Sequence, residues 1–261
     1  MNILEGHKVT KNFGGLVAVN EVDFEIRERE IFSLIGPNGS GKTTLLDLIN
    51  GIFPITRGEI SFLGNRLNGL KPYQITRLGI GRAFQIVRAF EGMTVKENVL
   101  VGRLFGAKKH KDIQIGMRDV DEVLEFVRLD EKKELRTSEI TIADKKRLEL
   151  ARALVMNPKL LLLDEVMAGL NPREVEDLME MIVRVNRRGI TVLMIEHVMK
   201  AVMGISQRIM VLHHGKRIAV GPPKEIAENQ EVIKSYLGER FARKESERER
   251  DSARAEEKRF G

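Results

Sequence analysis

Short apolar runs of strand length alternate along this chain with stretches of helical spacing. Val22-Asp23-Phe24-Glu25-Ile26 alternates apolar and polar positions, as a strand with one buried face does. Ile31-Phe32-Ser33-Leu34-Ile35 is almost wholly apolar, and Gly58 to Gly64 encloses another strand between glycines. Residues 1–65 therefore predict short strands with turns between them. From Thr94 to Leu135 the spacing turns helical, with Val120, Val123, Leu124 and Val127 three and four apart. Ile142 to Met156 predicts a second strong helix. A buried strand follows at Leu160 to Leu163, then a helix opening at Pro172, then a strand from Ile190 to Ile195. Such alternation predicts a mostly parallel sheet with helices on its faces. The helical block near 87–157 interrupts it and is expected to be an inserted subdomain.

Composition alters this picture little. The 261 residues are 42% hydrophobic and 31% charged, the make-up of a soluble globular protein with one large domain or two small ones. No run reaches the roughly 18 to 20 apolar residues of a membrane span. Met1 to Lys11 has polar and charged residues where a secretory signal needs an apolar core, so a cytoplasmic protein is expected. The absence of cysteine excludes disulfides and thiolate metal sites. The net charge of +6 is a small difference between 44 basic and 38 acidic residues. It fits a mildly basic solvated surface, and would also suit nucleic acid or an anionic membrane. The five histidines form no ligand pattern, and His213-His214 ahead of Gly215-Lys216 reads as a turn. Residues 239–261 carry eight basic and seven acidic side chains and almost no aliphatic ones. They read as a solvated helix or frayed tail, with a partner-binding arm as the alternative.

The chemistry begins at Gly36-Pro37-Asn38-Gly39-Ser40-Gly41-Lys42-Thr43-Thr44. Gly36, four residues, then Gly41-Lys42-Thr43 is the full pattern of a phosphate-binding loop. It lies between an apolar strand and a helical run from Thr44 to Ile49, the setting that the motif requires. Glycines let main-chain N–H groups turn inward around phosphate oxygens, and the helix N-terminus adds its positive end. Lys42 would reach the outer phosphates, and the Thr43 hydroxyl would ligate Mg2+. A Gly-rich turn with an incidental lysine is the bland alternative, and the flanking elements argue against it. The chain is expected to bind a nucleoside triphosphate. The Leu160–Leu163 run ends in Asp164-Glu165. Asp164 beside the phosphate loop would hold the Mg2+ shell, through water or Thr43. Glu165 would point elsewhere and polarise the attacking water as general base.

With these motifs the chain resembles the ATP-binding cassette ATPases from about residue 3 to residue 238. The resemblance implies an α/β fold: a P-loop NTPase core (a mixed, largely parallel sheet with an antiparallel β subdomain) and an inserted α-helical subdomain. Residues 1–86 and 158–238 would form the core, 87–157 the insertion with its signature motif, and 239–261 a charged tail. ATP and Mg2+ are the implied ligands. Gln85 falls where the family has a glutamine that contacts Mg2+ and water, and His197 where it has a switch histidine on the γ-phosphate. Phe13 matches the aromatic that stacks on adenine, though an ordinary core phenylalanine is the alternative. Val17, Asn38, Gly39, Ser40, Gly41, Lys42, Thr43 and Thr44 would also contact the nucleotide. Asn171 matches the loop that communicates across a dimer, and it also suits an N-cap before Pro172.

The departure from the family lies in the signature motif. Ile140-Thr141-Ile142-Ala143-Asp144 stands where Leu-Ser-Gly-Gly-Gln is usual. The motif is a helix N-terminus aimed at the γ-phosphate held by the opposite subunit. Thr141 keeps a hydroxyl, Ala143 keeps the N–H but adds a methyl, and Thr141 with Asp144 forms a capping pair. Val166 also replaces the proline that generally follows the glutamate. Both changes bear on the rate of hydrolysis and leave nucleotide binding intact.

Within the family the chain is most similar to ATPase subunits of branched-chain amino-acid importers. That likeness rests on Lys11 to Val19, Phe84-Gln85, Met93 to Val99, Glu196-His197, and the close from Val211 through Gly221-Pro222-Pro223 to Gly238. ATPases of lipopolysaccharide export and of urea or amide import look much alike. The resemblance implies a second ATPase subunit (a copy or a paralogue), integral-membrane permease subunits, and a solute-binding protein within the assembled system. It places the chain peripherally on the cytoplasmic face of the cell membrane. The permease would dock near residues 86–104, where Phe90, Met93 and Val95 offer either apolar contact or a local core. Members acting on DNA or ribosomes carry long coiled coils or paired cassettes, neither of which occurs here, so no nucleic-acid partner is expected.

Overall fold

The computed structural model describes residues 1–85, 89–105 and 113–236. In chain order its elements are β1 Asn2–Phe13, β2 Leu16–Arg27, β3 Ile31–Ile35, α1 Lys42–Ile49, β4 Arg57–Phe62 and β5 Asn65–Arg66. Then come α2 Pro72–Leu78, β6 Ile80–Ala83, α3 Val95–Phe105, α4 Ile113–Phe126, α5 Ile142–Leu154 and β7 Leu160–Asp164. The chain continues through α6 Pro172–Arg187, β8 Thr191–Ile195, α7 Met199–Ile205, β9 Arg208–His213, β10 Lys216–Gly221 and α8 Pro223–Glu228. The expected boundaries at 86/87 and 238/239, the closing Leu237-Gly238, the start of the docking segment at 86–88 and the 239–261 tail lie outside the described residues.

One sheet has the order β10-β9-β3-β8-β7-β6 and the other β2-β1-β4-β5. In the first, β9, β3, β8, β7 and β6 run parallel and β10 alone is antiparallel. The second is antiparallel throughout. This is the mixed, largely parallel sheet with an antiparallel companion that the fold class requires. The N-terminal strands are not short, however. β1 and β2 run for 12 residues each. Register shifts at several points between them break the apolar alternation, so one long hairpin reads in the sequence as several pieces.

Alternation along buried strands explains how the sheet divides the core. Leu160 and Leu162 of β7, with Leu193 and Ile195 of β8, join α1 and the antiparallel sheet in one apolar cluster. Their neighbours Leu161, Leu163, Val192 and Met194 face the opposite way, into a cluster with residues of α3 to α6. Both faces are covered, which is why these strands read as continuous apolar runs. The helical stretch from Thr94 comprises α3, α4 and a 3-10 turn at Asp130–Lys132. Its Val95, Val99, Val120 and Leu124 are fully buried in that second cluster. Val95 is therefore core, while Phe90 and Met93 stay exposed. α6 begins where expected: the Asn171 side chain accepts from the N–H groups of Arg173 and Glu174, both at 3.0 Å. Glu174 in turn accepts from the Asn171 N–H, completing a capping box.

The topology positions the site. β3, β8, β7 and β6 are parallel neighbours, so their C-terminal ends open on one edge, where open α/β sheets bind ligands. The four segments that follow them are the phosphate loop, Glu196-His197, Asp164-Glu165 and Phe84-Gln85.

Candidate nucleotide-binding and hydrolytic site

The phosphate loop links β3 to α1 and is supported from both ends of the chain. Gly41, the N-cap of α1, has φ 101°, and a Cβ there would lie 2.4 Å from the Ala18 carbonyl oxygen. Glycine alone fits that approach. The turn after β9 braces the other flank, where the Gly215 N–H donates to the Ser40 carbonyl at 3.0 Å. His214 and Gly215 both have positive φ, as the expected turn demands. Lys42 is buried, and its ammonium donates to the carbonyls of Gly36 (2.8 Å) and Pro37 (2.9 Å), spanning the loop. Two features fit a phosphate group here. A Cβ at Gly39 would meet nothing within 4 Å, so the loop is open there, and the buried Ser40 hydroxyl has no partner among the described residues. Asn38, Gly39 and Thr43 are exposed and Thr44 is half-buried.

The two carboxylates at the end of β7 diverge, as the sequence suggested. Asp164 is buried and its Oδ2 accepts from Arg82 at 2.6 Å. The same guanidinium donates to Asp47 of α1 at 2.6 Å and stacks on Phe84, 4.6 Å from the ring centroid. Glu165 has φ 48°, and this left-handed kink turns its side chain away from Asp164. Its Oε2 accepts from Gln85 Nε2 at 2.5 Å, and its Oε1 lies 3.1 Å from His197 Nε2. Gln85, Glu165 and His197 are thus brought together. Among the described residues no three His, Cys, Asp or Glu side chains form a metal cluster. Thr43, Gln85 and Asp164 fit Mg2+ only alongside phosphate oxygens and water, which is how that ion is commonly held.

Beneath this trio lie two buried ionisable groups that the sequence reading passed over. Burial pushes the Glu196 carboxyl up to about 7, and the Glu165 charge adds to the shift. The N–H groups of Met167 and His197 and the Lys146 charge oppose it. Burial also lowers the pKa of the Lys146 ammonium, against the pull of Glu196, Glu149, Glu165 and Asp164. Both residues, and Arg82, had a signal available. Each is a charged residue inside an apolar pattern: Arg82 in Ile80–Ala83, Glu196 after Thr191–Ile195, and Lys146 on the helix face of Leu150 and Ala153.

The remaining candidates stand around this centre. Phe13 is 40% exposed at the tip of the β1–β2 hairpin, so it is not a core phenylalanine. Phe53 meets it edge-on at 5.1 Å and the Lys11 ammonium lies 4.8 Å from its ring. Val17 is exposed next to Ala18, whose carbonyl abuts Gly41. At the start of α5, Thr141 Oγ1 accepts from the Asp144 N–H (3.1 Å) and lies 2.8 Å from Asp144 Oδ2, to which it donates. Burial would raise the Asp144 carboxyl, but hydrogen bonds from Lys132 and Thr141 hold it below the usual range. The hydroxyl of Thr141 is therefore committed to its own helix. Ala143 is half-buried and Ile142 is 65% exposed.

A family model described as ABC transporter matches residues 19–168, which span the phosphate loop, Gln85, the α5 start and Asp164-Glu165. The chain belongs to the ABC transporter ATP-binding family. It is an ATPase of that family. A second model, branched-chain amino acid ATP-binding cassette transporter, matches residues 216–242 of this cassette. The cassette is 44% identical over 246 residues to the high-affinity branched-chain amino acid transport ATP-binding protein LivG of Salmonella typhimurium. That match takes in 87% of this chain and 94% of LivG. It is 40% identical to the BraF protein of the same description from Pseudomonas aeruginosa, covering 91% and 98%. Among solved structures, the ADP conformation of an ATP-binding cassette from an ABC transporter is similar with a TM-score of 0.84. That cassette is 28% identical, over 91% of this chain and 99% of the other.

Proposed function

We propose that this cassette is the ATP-hydrolysing subunit of a membrane importer for branched-chain or related amino acids. The supporting observation is its likeness to LivG and BraF over nearly the whole chain, extended by the branched-chain model that matches residues 216–242. In this reading the Gly36–Thr44 loop and Lys42 hold the triphosphate, with Phe13 and Val17 on the base. Thr43, Gln85 and Asp164 hold Mg2+ together with the phosphates, and the ion would neutralise charge developing on them. Glu165 accepts a proton from the attacking water, while Gln85 and His197 keep its two oxygens oriented. Thr141 and Ala143, at the positive end of α5, meet the nucleotide of a second subunit. Closure of that dimer on two ATP molecules, and its release after hydrolysis, would drive permease subunits docked near 86–104. The core would comprise 1–86 and 158–238 and the inserted helical subdomain 87–157, with a solute-binding protein in the assembled system. Its place would be the cytoplasmic face of the membrane.

One observation favours a second reading, a weakly hydrolysing regulatory cassette: the Thr141 hydroxyl is engaged by Asp144. Two experiments test the importer reading and its hydrolytic site. Copurification of the full-length chain from its native membrane should recover a permease pair and a binding protein that takes branched-chain amino acids. Recovery of a lipopolysaccharide-export or amide-import permease would overturn the solute class. Glu165→Gln should lower ATP turnover about a hundredfold or more while ATP binding persists, since it removes the general base. An unchanged rate would remove Glu165 from that role.

A further inference from the structure

Two buried side chains grip the main chain on either side of the hydrolytic trio. Lys146 lies one turn into α5, and its ammonium donates to the main-chain carbonyl of Gln85 at 2.5 Å. Glu196 follows β8 and is 2% exposed. Its Oε1 accepts from the Met167 N–H at 2.9 Å, two residues beyond Glu165. His197 is its next neighbour in the chain. The Lys146 charge faces Glu196, Glu149, Glu165 and Asp164. Two side chains therefore add backbone support at Gln85, at the turn carrying Glu165 and at His197, beside the Glu165 N–H bond to the Ile195 carbonyl. The side chains of Gln85 and His197 meanwhile converge on the two oxygens of Glu165.

A fully apolar side chain at 146 would pack beside Leu150 without the desolvation cost of a buried ammonium, and it would leave the Gln85 carbonyl unheld. We propose that Lys146 and Glu196 are positioning residues for ATP hydrolysis, fixing the mutual register of Gln85, Glu165 and His197. Lys146 sits five positions after Thr141 in the same helix, so the register also depends on where α5 lies. The Lys146 hydrogen bond ties the Gln85 main chain to α5. The proposal rests on the assignment of Gln85, Glu165 and His197 to hydrolysis made above.

The test is steady-state ATP hydrolysis by the full-length chain, with kcat and KM separated. Lys146→Met and Glu196→Leu should each lower kcat about tenfold or more and move KM for ATP less than about threefold. Misplacement by about an ångström costs rate on that scale. Lys146→Arg and Glu196→Gln keep the donor and the acceptor, and should return kcat to within about threefold of wild type. If either apolar variant lowers the yield of folded chain, Lys146→Gln and Glu196→Asp shorten the reach, keep the polarity and should show the same loss. Three results would overturn the proposal: kcat unchanged in the apolar variants, KM rising in step as kcat falls, or no rescue by the conservative variants. Glu165→Gln run alongside distinguishes the two levels. If it abolishes turnover while the Lys146 and Glu196 variants are silent, only the positioning role falls. If it turns over normally, the site assignment falls and takes the positioning role with it.

Discussion

Glu196→Gln should change how stability depends on pH. Burial raises this carboxyl from 4.5 to about 7, with Glu165 adding to the shift and Lys146 opposing it. At about 1.4 kcal/mol per pH unit, that interval corresponds to about 3 kcal/mol. The sign follows from proton counting. Below pH 4.5 the carboxyl is protonated in both folded and unfolded chains, and its contribution to stability is fully present. Between 4.5 and about 7 the unfolded chain ionises while the folded one keeps its proton, so stability falls. Above about 7 both are ionised and the loss is complete. Glutamine cannot ionise, yet its carbonyl can still accept from Met167. Any cost of seating the amide is independent of pH and cancels in the difference. Urea unfolding of the nucleotide-free chain at several pH values between about 4.5 and about 8 should show the variant gaining about 3 kcal/mol on wild type across the range. Parallel pH profiles for the two chains would refute the reasoning.

Substitutions at three further positions test the frame around the site. Gly41→Ala places a methyl against the Ala18 carbonyl at a φ that suits only glycine; it should lower stability by more than about 1 kcal/mol and weaken ATP binding, both absent if the approach is relaxed. Arg82→Met leaves Asp47 and Asp164 without their shared cation and should cost about 3–5 kcal/mol in urea unfolding. A loss under about 1 kcal/mol would show that the two carboxylates find other partners. Asn171→Ala removes the cap of α6 and should cost about 1 kcal/mol, whereas Asn171→Gly should cost only a few tenths.

What could be read from the chain follows from how local the chemistry is. The phosphate loop, Asp164-Glu165 and the Asn171–Glu174 cap are contiguous, and each sits at an element boundary that its own residues announce. That Asp164 and Glu165 diverge was legible, but the left-handed turn at Glu165 that parts them was not. The long β1–β2 hairpin was not, since bulges erase the alternation that would have measured it. Arg82, Lys146 and Glu196 escaped for another reason. Their partners lie 35, 61 and 29 residues away, at Asp47, Gln85 and Met167. A charged residue in an apolar pattern signals that some partner exists, and only the fold says which. The signature variant was legible as a capping pair, but the second bond, from the Thr141 hydroxyl to the Asp144 carboxylate, was not.

The position of β3 between β8 and β9 bears on how the protein is made. Its five buried residues hydrogen-bond to strands spanning residues 191–195 and 208–213, and to no strand nearer in sequence within that sheet. On the ribosome, the strand that leads into the phosphate loop therefore waits, apolar and unpaired, until residues 191–213 emerge. Long-range parallel pairing of this kind is slow and exposed to aggregation. The nucleotide site, first in the sequence to be recognisable, is among the last parts of the molecule to exist.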